Sequence, residues 1–299
     1  MVLSPSFLDG INRNNPKGSK GVIASAYKSF LLSLCNGRGA KNPSDLRSAI
    51  ISKYKRFSGY GQQDSQELLG SLLDGLHEDL NQSAAARGTN PPLEIPKDPD
   101  SWQVYLAKNS SPIVNLFSGK LYSSIECPNC GNVEAVFDPF VFLSVPIPKR
   151  SFSGTTLQKC LDSFCTSDTL DADNKWRCDK CHQKVQATKK TGIQECAQVL
   201  IIHLKRFSGS GYSSSKIDTS VDYPDILESR SFCNNKDSRS YKLIGAVFHH
   251  GSIGGGHYTS AAIDPNTGDW YNFNDSTATK ISQSSAHSNA AYILFYLKQ

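Results

Sequence analysis

The chain has 299 residues, of which 38% are hydrophobic, 20% charged and 10% aromatic. This composition is typical of globular proteins and excludes collagen-like, coiled-coil and wholly disordered chains. The formal net charge of +5 is too small and too dispersed to predict a nucleic-acid-binding surface by itself. The longest apolar runs, at 199–202 and 290–297, are well short of the ~20 residues that span a bilayer, so we expect no membrane protein.

The amino terminus and the cysteines together indicate the compartment. The first residues, MVLSPSFLDG, have no basic lead and no apolar stretch of signal-peptide length, so we expect no secretion. There are nine cysteines, an odd number, and four of them form two CxxC pairs, which favours thiols and a metal over a disulfide framework. We therefore expect a cytosolic or nuclear protein.

The first part of the chain is predicted to be helical. Apolar residues recur at helical spacing over 22–34, and a second helix is expected over 44–54 with Ser44 as its N-cap. The strongest signal covers 64–81, where leucines form one stripe and Asp64 begins a capping-box pattern. A long loop rich in Pro, Ala and Asp is expected to follow.

From residue 119 onward, short runs rich in β-branched and aromatic residues predict strands. Those runs are KLYSSIE, VEAVFDPF, VFLSVPIP, KVQATKK, QVLIIHLKRF, YKLIGAVFHH, GHYTSAAI, DWYNF and YILFYL. LQKCLDSF, at 157–164, interrupts them as a short helix, and the Ser- and Gly-rich stretch at 208–215 is expected to be a loop. Helices followed by strands predict an α+β fold with segregated elements.

The two CxxC pairs predict a metal site. Cys127 and Cys130 form the first pair, and Cys178 and Cys181 form the second. Each pair can bend into a turn that presents two thiolates to one tetrahedral metal, and soft thiolates select zinc. The segment 131–177 between the pairs is longer than the roughly 15–20 residues of a compact ribbon, so we expect two hairpin tips that are distant in sequence and adjacent in space.

Alternatives to a structural four-thiolate site remain open. The four cysteines can be unrelated, and His182 can replace one of them as a ligand. Zinc ribbons also bind nucleic acid, but the segment between the pairs carries five positive against six negative charges, which makes a poor phosphate-binding surface. We therefore interpret the metal as structural and nucleic acid as an unfavoured partner.

A histidine behind three glycines is the candidate catalytic residue. His257 stands at the head of a predicted strand, and the next strand ends at Asn274 and Asp275. A hairpin across DPNTGD would bring Asn274 back beside His257. Its amide oxygen would accept Nδ1–H and leave Nε2 as a base. A satisfied structural histidine and an ordinary Asn-Asp-Ser turn are the alternatives.

Six separated motifs, in order, carry a resemblance to a known family. They are GYGQQDSQELLGSLLDGLHEDLN, the two CxxC pairs, VLIIHLKRF, GGGHYTS, WYNFNDS and AYILFY. Over residues 11–297 the chain resembles the catalytic domain of the ubiquitin-specific proteases. The resemblance implies a single papain-like domain likened to a hand, with thumb helices over about 1–115, zinc-tipped fingers over about 116–207 and a palm over about 208–299.

The resemblance also implies an activity and its residues. The activity is deubiquitination, the thiol-dependent hydrolysis of the bond after the C-terminal glycine of ubiquitin, with ubiquitin and ubiquitinated proteins as partners and Zn²⁺ as a structural cofactor. His257 would be the general base, Asn274 its orienting partner and Asp275 an adjacent substitute. The residues expected at the ubiquitin tail are Gln63, Asp64 and Tyr258.

One part of the family pattern is missing. The Asn-Thr-Cys motif of the nucleophile should precede INRNNPKG, but the ten residues before Ile11 contain no cysteine. Cys35 follows a predicted helix, where the helix dipole opposes a thiolate, and we interpret the remaining cysteines as ordinary: Cys160, Cys165, Cys196 and Cys233. We expect a fragment or mis-started gene model of an active enzyme. The alternatives are a ubiquitin-binding chain without a nucleophile and a partner that supplies the missing segment.

Overall fold

The computed structural model describes residues 8–37, 39–88, 101–148, 154–208, 215–234, 239–252 and 254–299. Residues 89–100 and 209–214, which make up much of the two expected loops, lie outside these ranges. In the described part, helices dominate before residue 118 and strands dominate after it, which confirms the predicted α+β class. The limits of thumb, fingers and palm remain a prediction.

The helices are α1 Val22–Asn36, α2 Ser44–Lys53, α3 Ser65–Leu80, α4 Ser101–Lys108, α5 Pro112–Phe117 and α6 Leu157–Phe164. Helices α1, α2, α3 and α6 were predicted, whereas α4 and α5 were not. Helix α4 is as long as α6 but has a weaker apolar stripe. The signal for α5 was nevertheless present, since Pro112 begins the helix and the Ser111 hydroxyl accepts from the Val114 backbone N–H.

The predicted caps of α2 and α3 have different outcomes. Ser44 is wrong as an N-cap, because Pro43 occupies that position and Ser44 is the first helical residue. The Ser44 backbone N–H instead donates to the side chain of Asn42 at 3.0 Å. Asp64 is confirmed as the N-cap of α3, where its side chain accepts from two backbone N–H groups of the first turn.

The described strands are β1 Gly119–Glu126, β2 Val133–Phe140, β3 Phe142–Pro146, β4 Thr155–Thr156, β5 Ser167–Thr169, β6 Trp176–Arg177, β7 Lys184–Val185, β8 Thr188–Glu195, β9 Val199–Lys205, β10 Phe207–Ser208, β11 Ser215–Lys216, β12 Val221–Asp222, β13 Ile226–Glu228, β14 Ser240–Ser252, β15 Gly255–Ile263, β16 Trp270–Asn274, β17 Thr277–Ile281 and β18 Ala291–Lys298. The predicted strand KVQATKK is split between β7 and β8. Strand β17, TATKI, was not predicted because it is mostly exposed and carries a weak apolar pattern.

Two sheets organise the strands. One has four strands in the order β2-β1-β8-β5, and the other has eight, in the order β17-β16-β15-β14-β18-β9-β3 with β13 paired to β14. Pairing within both sheets is antiparallel except between β3 and β9. Strand β15 therefore lies next to β16, which brings the two ends of the predicted hairpin together.

Strand β9 is buried on both faces of the large sheet. Leu200 and Ile202 belong to the core shared with α6, whereas Val199 and Ile201 belong to the core shared with α1, α2, α3 and α5. Two-sided burial explains why this strand is a continuous apolar run rather than an alternating one. None of the helices in the described ranges is long and apolar enough to cross a membrane.

Candidate active site

The hairpin predicted to carry the candidate histidine is present. Strands β15 and β16 pair antiparallel from Ser260 opposite Phe273 to Ile263 opposite Trp270. The turn between them is closed by the Gly268 backbone N–H, which donates to the Asp264 carbonyl at 2.8 Å. Because β15 begins near His257 and β16 ends at Asn274, the two side chains meet at one end of the hairpin.

The His257 ring contacts the Asn274 amide. His257 Nε2 lies 2.7 Å from Asn274 Oδ1. Since that oxygen can only accept, Nε2 carries the hydrogen and Nδ1 is the basic nitrogen. The prediction that Nδ1 would face the amide is wrong: Nε2 lies at the far end of the ring and reaches the neighbouring strand, whereas Nδ1 stays close to its own backbone. In the described residues Nδ1 has no hydrogen-bond partner.

Asp275 is a more distant neighbour of the same ring. Its Oδ2 lies 4.0 Å from His257 Nε2, and its side chain is 80% exposed. The residue has a positive φ of 49° and begins the turn between β16 and β17. Asp275 therefore lies on the side of Nε2, the ring nitrogen that already donates to Asn274.

A cleft of about 250 Å³ lies beside this hairpin. Its lining residues are Gln62, Gln63, Asp64, Phe207, His249, Ser252, Gly255, Gly256 and Tyr258. The structure thus brings the three predicted tail residues together in one cleft, with His257 between two of its lining residues. Gln62, Phe207, His249 and Ser252 were missed. Phe207 ends the motif VLIIHLKRF, and His249 lies near the end of YKLIGAVFHH. Nothing in the sequence shows that these two strand ends lie close together.

Gly256 is required by the wall of the cleft. A Cβ at this position would overlap His249 Nε2 and lie 2.6 Å from the His250 carbonyl oxygen, so a side chain here would require a shift of the backbone. A Cβ at Gly255 would meet nothing within 4 Å. The glycines therefore differ, since Gly256 permits internal packing and Gly255 leaves the cleft open.

Asp64 joins the helical part of the chain to the large sheet. Its Oδ1 accepts from the backbone N–H groups of Gln66 at 2.7 Å and Glu67 at 3.3 Å, and its Oδ2 accepts from the Tyr292 hydroxyl at 2.5 Å. Burial, followed by this hydrogen bond, raises the pKa of Tyr292, so the hydroxyl stays protonated as a donor. Hydrogen bonds from the chain itself thus fill three of the acceptor positions of the Asp64 carboxylate.

Two histidines, the half-buried His203 and the buried His249, stand near Asp64. Burial lowers the pKa of His203 to about 4, and its Nδ1 lies 3.0 Å from the Ser144 hydroxyl. Burial and then the Lys216 ammonium lower the pKa of His249, which is 4% exposed. Both rings are therefore neutral at pH 7. Among the residues that line the cleft, Asp64 supplies the charge, and that charge favours a cationic ligand.

The four predicted metal ligands form one cluster. The sulfur atoms of Cys127, Cys130, Cys178 and Cys181 all lie within 4.8 Å of one another. The Cys127–Cys181 and Cys130–Cys178 sulfur distances are 3.8 and 3.6 Å. Four ligands at about 2.3 Å around a tetrahedral zinc ion stand about 3.8 Å apart, so the thiols fit this metal.

The cysteine turns are hairpin tips, as predicted. Cys127 and Cys130 lie in the turn between β1 and β2, and the second pair lies between β6 and β7. In both turns the residue after the second cysteine has a positive φ, 63° at Gly131 and 58° at His182. His182 is exposed and stands outside the cluster, so the structure does not support it as a ligand.

Comparison with known sequences decides the family. A profile of the family described as ubiquitin carboxyl-terminal hydrolase matches residues 2–296. The chain belongs to the ubiquitin carboxyl-terminal hydrolase family. Ubiquitin carboxyl-terminal hydrolase 2 of Rattus norvegicus is 41% identical over 263 residues, covering 85% of this chain and 42% of the relative. Ubiquitin carboxyl-terminal hydrolase 21 of Bos taurus is 37% identical over 282 residues, covering 86% of this chain and 49% of the relative.

Solved structures agree with this assignment to the ubiquitin carboxyl-terminal hydrolases. A chain of a SAGA DUB module of Ubp8, Sgf11, Sus1 and Sgf73, bound to monoubiquitin, superposes with a TM-score of 0.76 at 27% identity, covering 100% of this chain and 62% of that one. The same module bound to ubiquitin aldehyde superposes with a TM-score of 0.73 at 27% identity, covering 100% of this chain and 63% of that one.

The chain spans less than half the length of the curated relatives named above.

No thiol completes the site within this member of the ubiquitin carboxyl-terminal hydrolases. All nine cysteines lie among the described residues, and the recorded polar contacts of the His257 ring there are with Asn274 and Asp275. Cys35 is exposed in the last turn of α1, so it lies at the C-terminal end of the helix, just inside it rather than after it. Burial raises the pKa of Cys160 to about 11, which makes that thiol a poor nucleophile.

Proposed function

We propose that this chain acts in deubiquitination, with His257 as the general base and Asn274 as the residue that positions it. The carrying observation is the 2.7 Å contact between His257 Nε2 and Asn274 Oδ1. That contact fixes one tautomer and leaves Nδ1 as the nitrogen that takes a proton from a thiol. Family membership supports the same activity. Asp275, 4.0 Å away, is a weaker acceptor that can partly replace Asn274.

We infer that the thiol comes from outside these 299 residues. A cysteine protease needs a thiolate within reach of its histidine, and each cysteine of this chain is accounted for elsewhere in the fold. This chain would therefore have two tasks. It would bind ubiquitin, and it would position His257 as the general base. The bond after the C-terminal glycine of ubiquitin would be hydrolysed once a thiol reaches Nδ1.

We propose that the cleft receives the ubiquitin tail through Gln63, Asp64 and Tyr258. Asp64 accepts three hydrogen bonds from its own chain, and a carboxylate has about four acceptor positions, so one remains for a cationic donor. The arginine-rich tail that the family resemblance implies is such a donor. The open space at Gly255 would admit a backbone that carries no side chain.

We propose a structural zinc ion at Cys127, Cys130, Cys178 and Cys181. Its support is the spacing of the four sulfur atoms and their placement on two hairpin tips. The ion would join the turn between β1 and β2 to the turn between β6 and β7, where the Asn129 amide also donates to Gln183 at 2.8 Å. Because nine thiols are stable in reducing compartments, we place the protein in the cytosol or nucleus.

A second candidate function is ubiquitin binding without hydrolysis, and the absence of a thiol at His257 favours it. A zinc-ribbon role in nucleic-acid binding has no comparable support. The deciding experiment follows the hydrolysis of a fluorogenic ubiquitin C-terminal amide by two proteins. One is the 299-residue chain, and the other is the same chain extended at its amino terminus by an Asn-Thr-Cys segment taken from a relative.

The two candidates predict different results. A deubiquitinase base gives no hydrolysis by the first protein, hydrolysis by the second, and loss of that activity in the extended chain with His257→Ala. Ubiquitin binding by an extended chain that hydrolyses nothing would favour the non-catalytic role. Salt-dependent binding to DNA or RNA without any ubiquitin binding would contradict both.

A further inference from the structure

Strand β14 continues beyond the point where it pairs with β18. The last pair between the two strands is Phe248 opposite Ala291, and the His249 backbone N–H donates to the Ala290 carbonyl at 2.9 Å. Strand β14 itself continues to Ser252. Because the N–H and C=O of one residue point to the same side of a strand, the carbonyl groups on this edge need donors from outside β18.

The ammonium group of Lys216 supplies those donors. Its Nζ donates to the His249 carbonyl at 3.1 Å and to the Gly251 carbonyl at 2.8 Å. The same Nζ lies 3.4 Å from Asp218 Oδ1, and the Lys216 side chain is only 10% exposed. An ammonium group has three N–H donors, so the two carbonyls and the carboxylate match its full capacity.

The backbone of Lys216 is held independently of β14. Lys216 lies in β11 opposite Phe207 of β10, and the next backbone N–H, of Ile217, donates to the Arg206 carbonyl at 2.7 Å. The Arg206 guanidinium, which is buried, donates in turn to the carbonyls of Ile217 and Thr219 at 2.9 Å each. Lys216 is therefore anchored on its own side and can fix the position of the end of β14.

The other edge of the same strand end carries the candidate site. There β14 pairs with β15, with His250 opposite His257 and Gly251 opposite Gly256. Gly251 has a φ of 100°, and a Cβ there would lie 2.6 Å from the Gly255 carbonyl oxygen, so the two strands approach closely. A displacement of the end of β14 would therefore move the candidate base and the glycine wall of the cleft together.

We propose that Lys216 is a positioning residue, which holds the end of β14 so that β15 presents His257 and the glycine wall in the productive arrangement. Lys216 acts through the two backbone carbonyls rather than on the reacting atoms. Because His257 is the base only in the function proposed above, the role of Lys216 in hydrolysis rests on that function. Its role in holding the strand end does not.

Hydrogen exchange in the 299-residue chain tests the positioning without any chemistry. In Lys216→Met, which removes the donors, the backbone amides of residues 248–252 and 255–258 should exchange about tenfold faster, because this strand end opens more often. Lys216→Arg should restore most of the protection, since a guanidinium can also donate to two carbonyls. Lys280→Met is the matched control, because the Lys280 ammonium contacts the Asp269 carboxylate at 2.7 Å instead, and it should exchange like the wild type.

The same variants in the chain extended by the thiol segment test the consequence for hydrolysis. Lys216→Met should lower kcat by about 10–100-fold, because a base displaced by about 1 Å loses its productive geometry. Lys216→Arg and Lys280→Met should retain most of the wild-type kcat. Circular dichroism of each variant shows that the protein assayed is folded, so that a loss of folded chain is not counted as a loss of kcat.

The two measurements separate the possible failures. Wild-type exchange in Lys216→Met would overturn the proposal, whether or not the extended chain is active. Faster exchange with an unchanged kcat would overturn the positioning role in hydrolysis. An extended wild-type chain that hydrolyses nothing would contradict the proposed function instead, and the exchange rates alone would then decide whether Lys216 holds this strand end.

Discussion

The Asp64 carboxylate accepts a hydrogen bond from the Tyr292 hydroxyl at 2.5 Å, across 228 positions of sequence. The bond joins the N-terminus of α3 to β18, and it does so at the wall of the proposed tail cleft. Asp64 therefore has two roles: it caps a helix, and it supplies the negative charge of the cleft. Replacing it with alanine would remove both at once.

We predict that three substitutions at this contact separate helix capping from the hydrogen bond to Tyr292. Asp64→Ala should lower the free energy of unfolding by about 1–2 kcal/mol, because it removes an N-cap and leaves the Tyr292 hydroxyl without its acceptor. Asp64→Asn should cost less, since asparagine also caps helices. Urea unfolding measures both. Tyr292→Phe, which keeps the cap, is the control, and equal losses for Asp64→Ala and Asp64→Asn would contradict the capping role.

We predict that His203 makes stability depend on pH in the acid range. Burial lowers its pKa to about 4, whereas an unfolded histidine titrates near 6.5. Below about 6.5 the unfolded chain binds a proton that the folded chain does not, so stability is lost as the pH falls from about 6.5 to about 4.

The matched variant for this pH effect is His203→Asn, which keeps a polar atom near the position of Nδ1 beside Ser144. Urea midpoints at pH 7 and pH 5 should differ less in this variant than in the wild type. The exposed His182→Asn serves as the control and should show the wild-type difference. The same loss in all three proteins would show that His203 is not the group responsible.

We predict one zinc ion per chain in protein purified without added metal. Metal analysis should find it in the wild type and in Cys35→Ser, and should find much less in Cys178→Ser, because three thiolates hold zinc more weakly than four. Chelation should increase hydrogen exchange in β6 and β7 before it does so in β14 and β18, which have a core of their own. Equal zinc content in both variants would exclude the four-thiolate site.

Much of this fold was readable from sequence because the decisive patterns are local. The leucine stripe of α3 and the hairpin turns of the cysteines each depend on residues within about 20 positions, and periodicity or turn chemistry reports them. The same holds for the β15–β16 hairpin, where Gly268 closes the turn with a φ of 76°. Asn274 could therefore be placed beside His257 without coordinates.

The cleft could not be predicted because it depends on contacts between distant strands. Phe207, His249 and Tyr292 come from β10, β14 and β18, and their rings pack against one another. Because β10 lies outside the large sheet, this convergence follows from tertiary packing rather than from any local pattern. The choice of ring nitrogen at His257 was likewise wrong, since it depends on which end of the ring faces the neighbouring strand.

We predict that the two partners of His257 differ in importance in a chain supplied with the thiol segment. His257→Ala should lower kcat by roughly 10²–10⁴-fold, the usual contribution of a general base. Asn274→Ala should lower kcat by less, because Asp275 can accept the same hydrogen bond, and it should also shift the pH profile of kcat as the positioning oxygen changes. Asn274→Ala with Asp275→Ala should approach the loss of His257→Ala. An unchanged pH profile in Asn274→Ala would argue against a positioning role.

The most direct test of the central claim is the affinity of the 299-residue chain for ubiquitin in two glycine variants, measured by titration calorimetry. Gly255 lines the cleft, Gly254 does not, and a Cβ at either position meets nothing within 4 Å, so both positions can accept leucine within the fold. If the cleft receives the ubiquitin tail, Gly255→Leu should weaken binding at least tenfold, about 1.4 kcal/mol, while Gly254→Leu binds like the wild type. Wild-type affinity in Gly255→Leu, or an equal loss in both variants, would contradict the account.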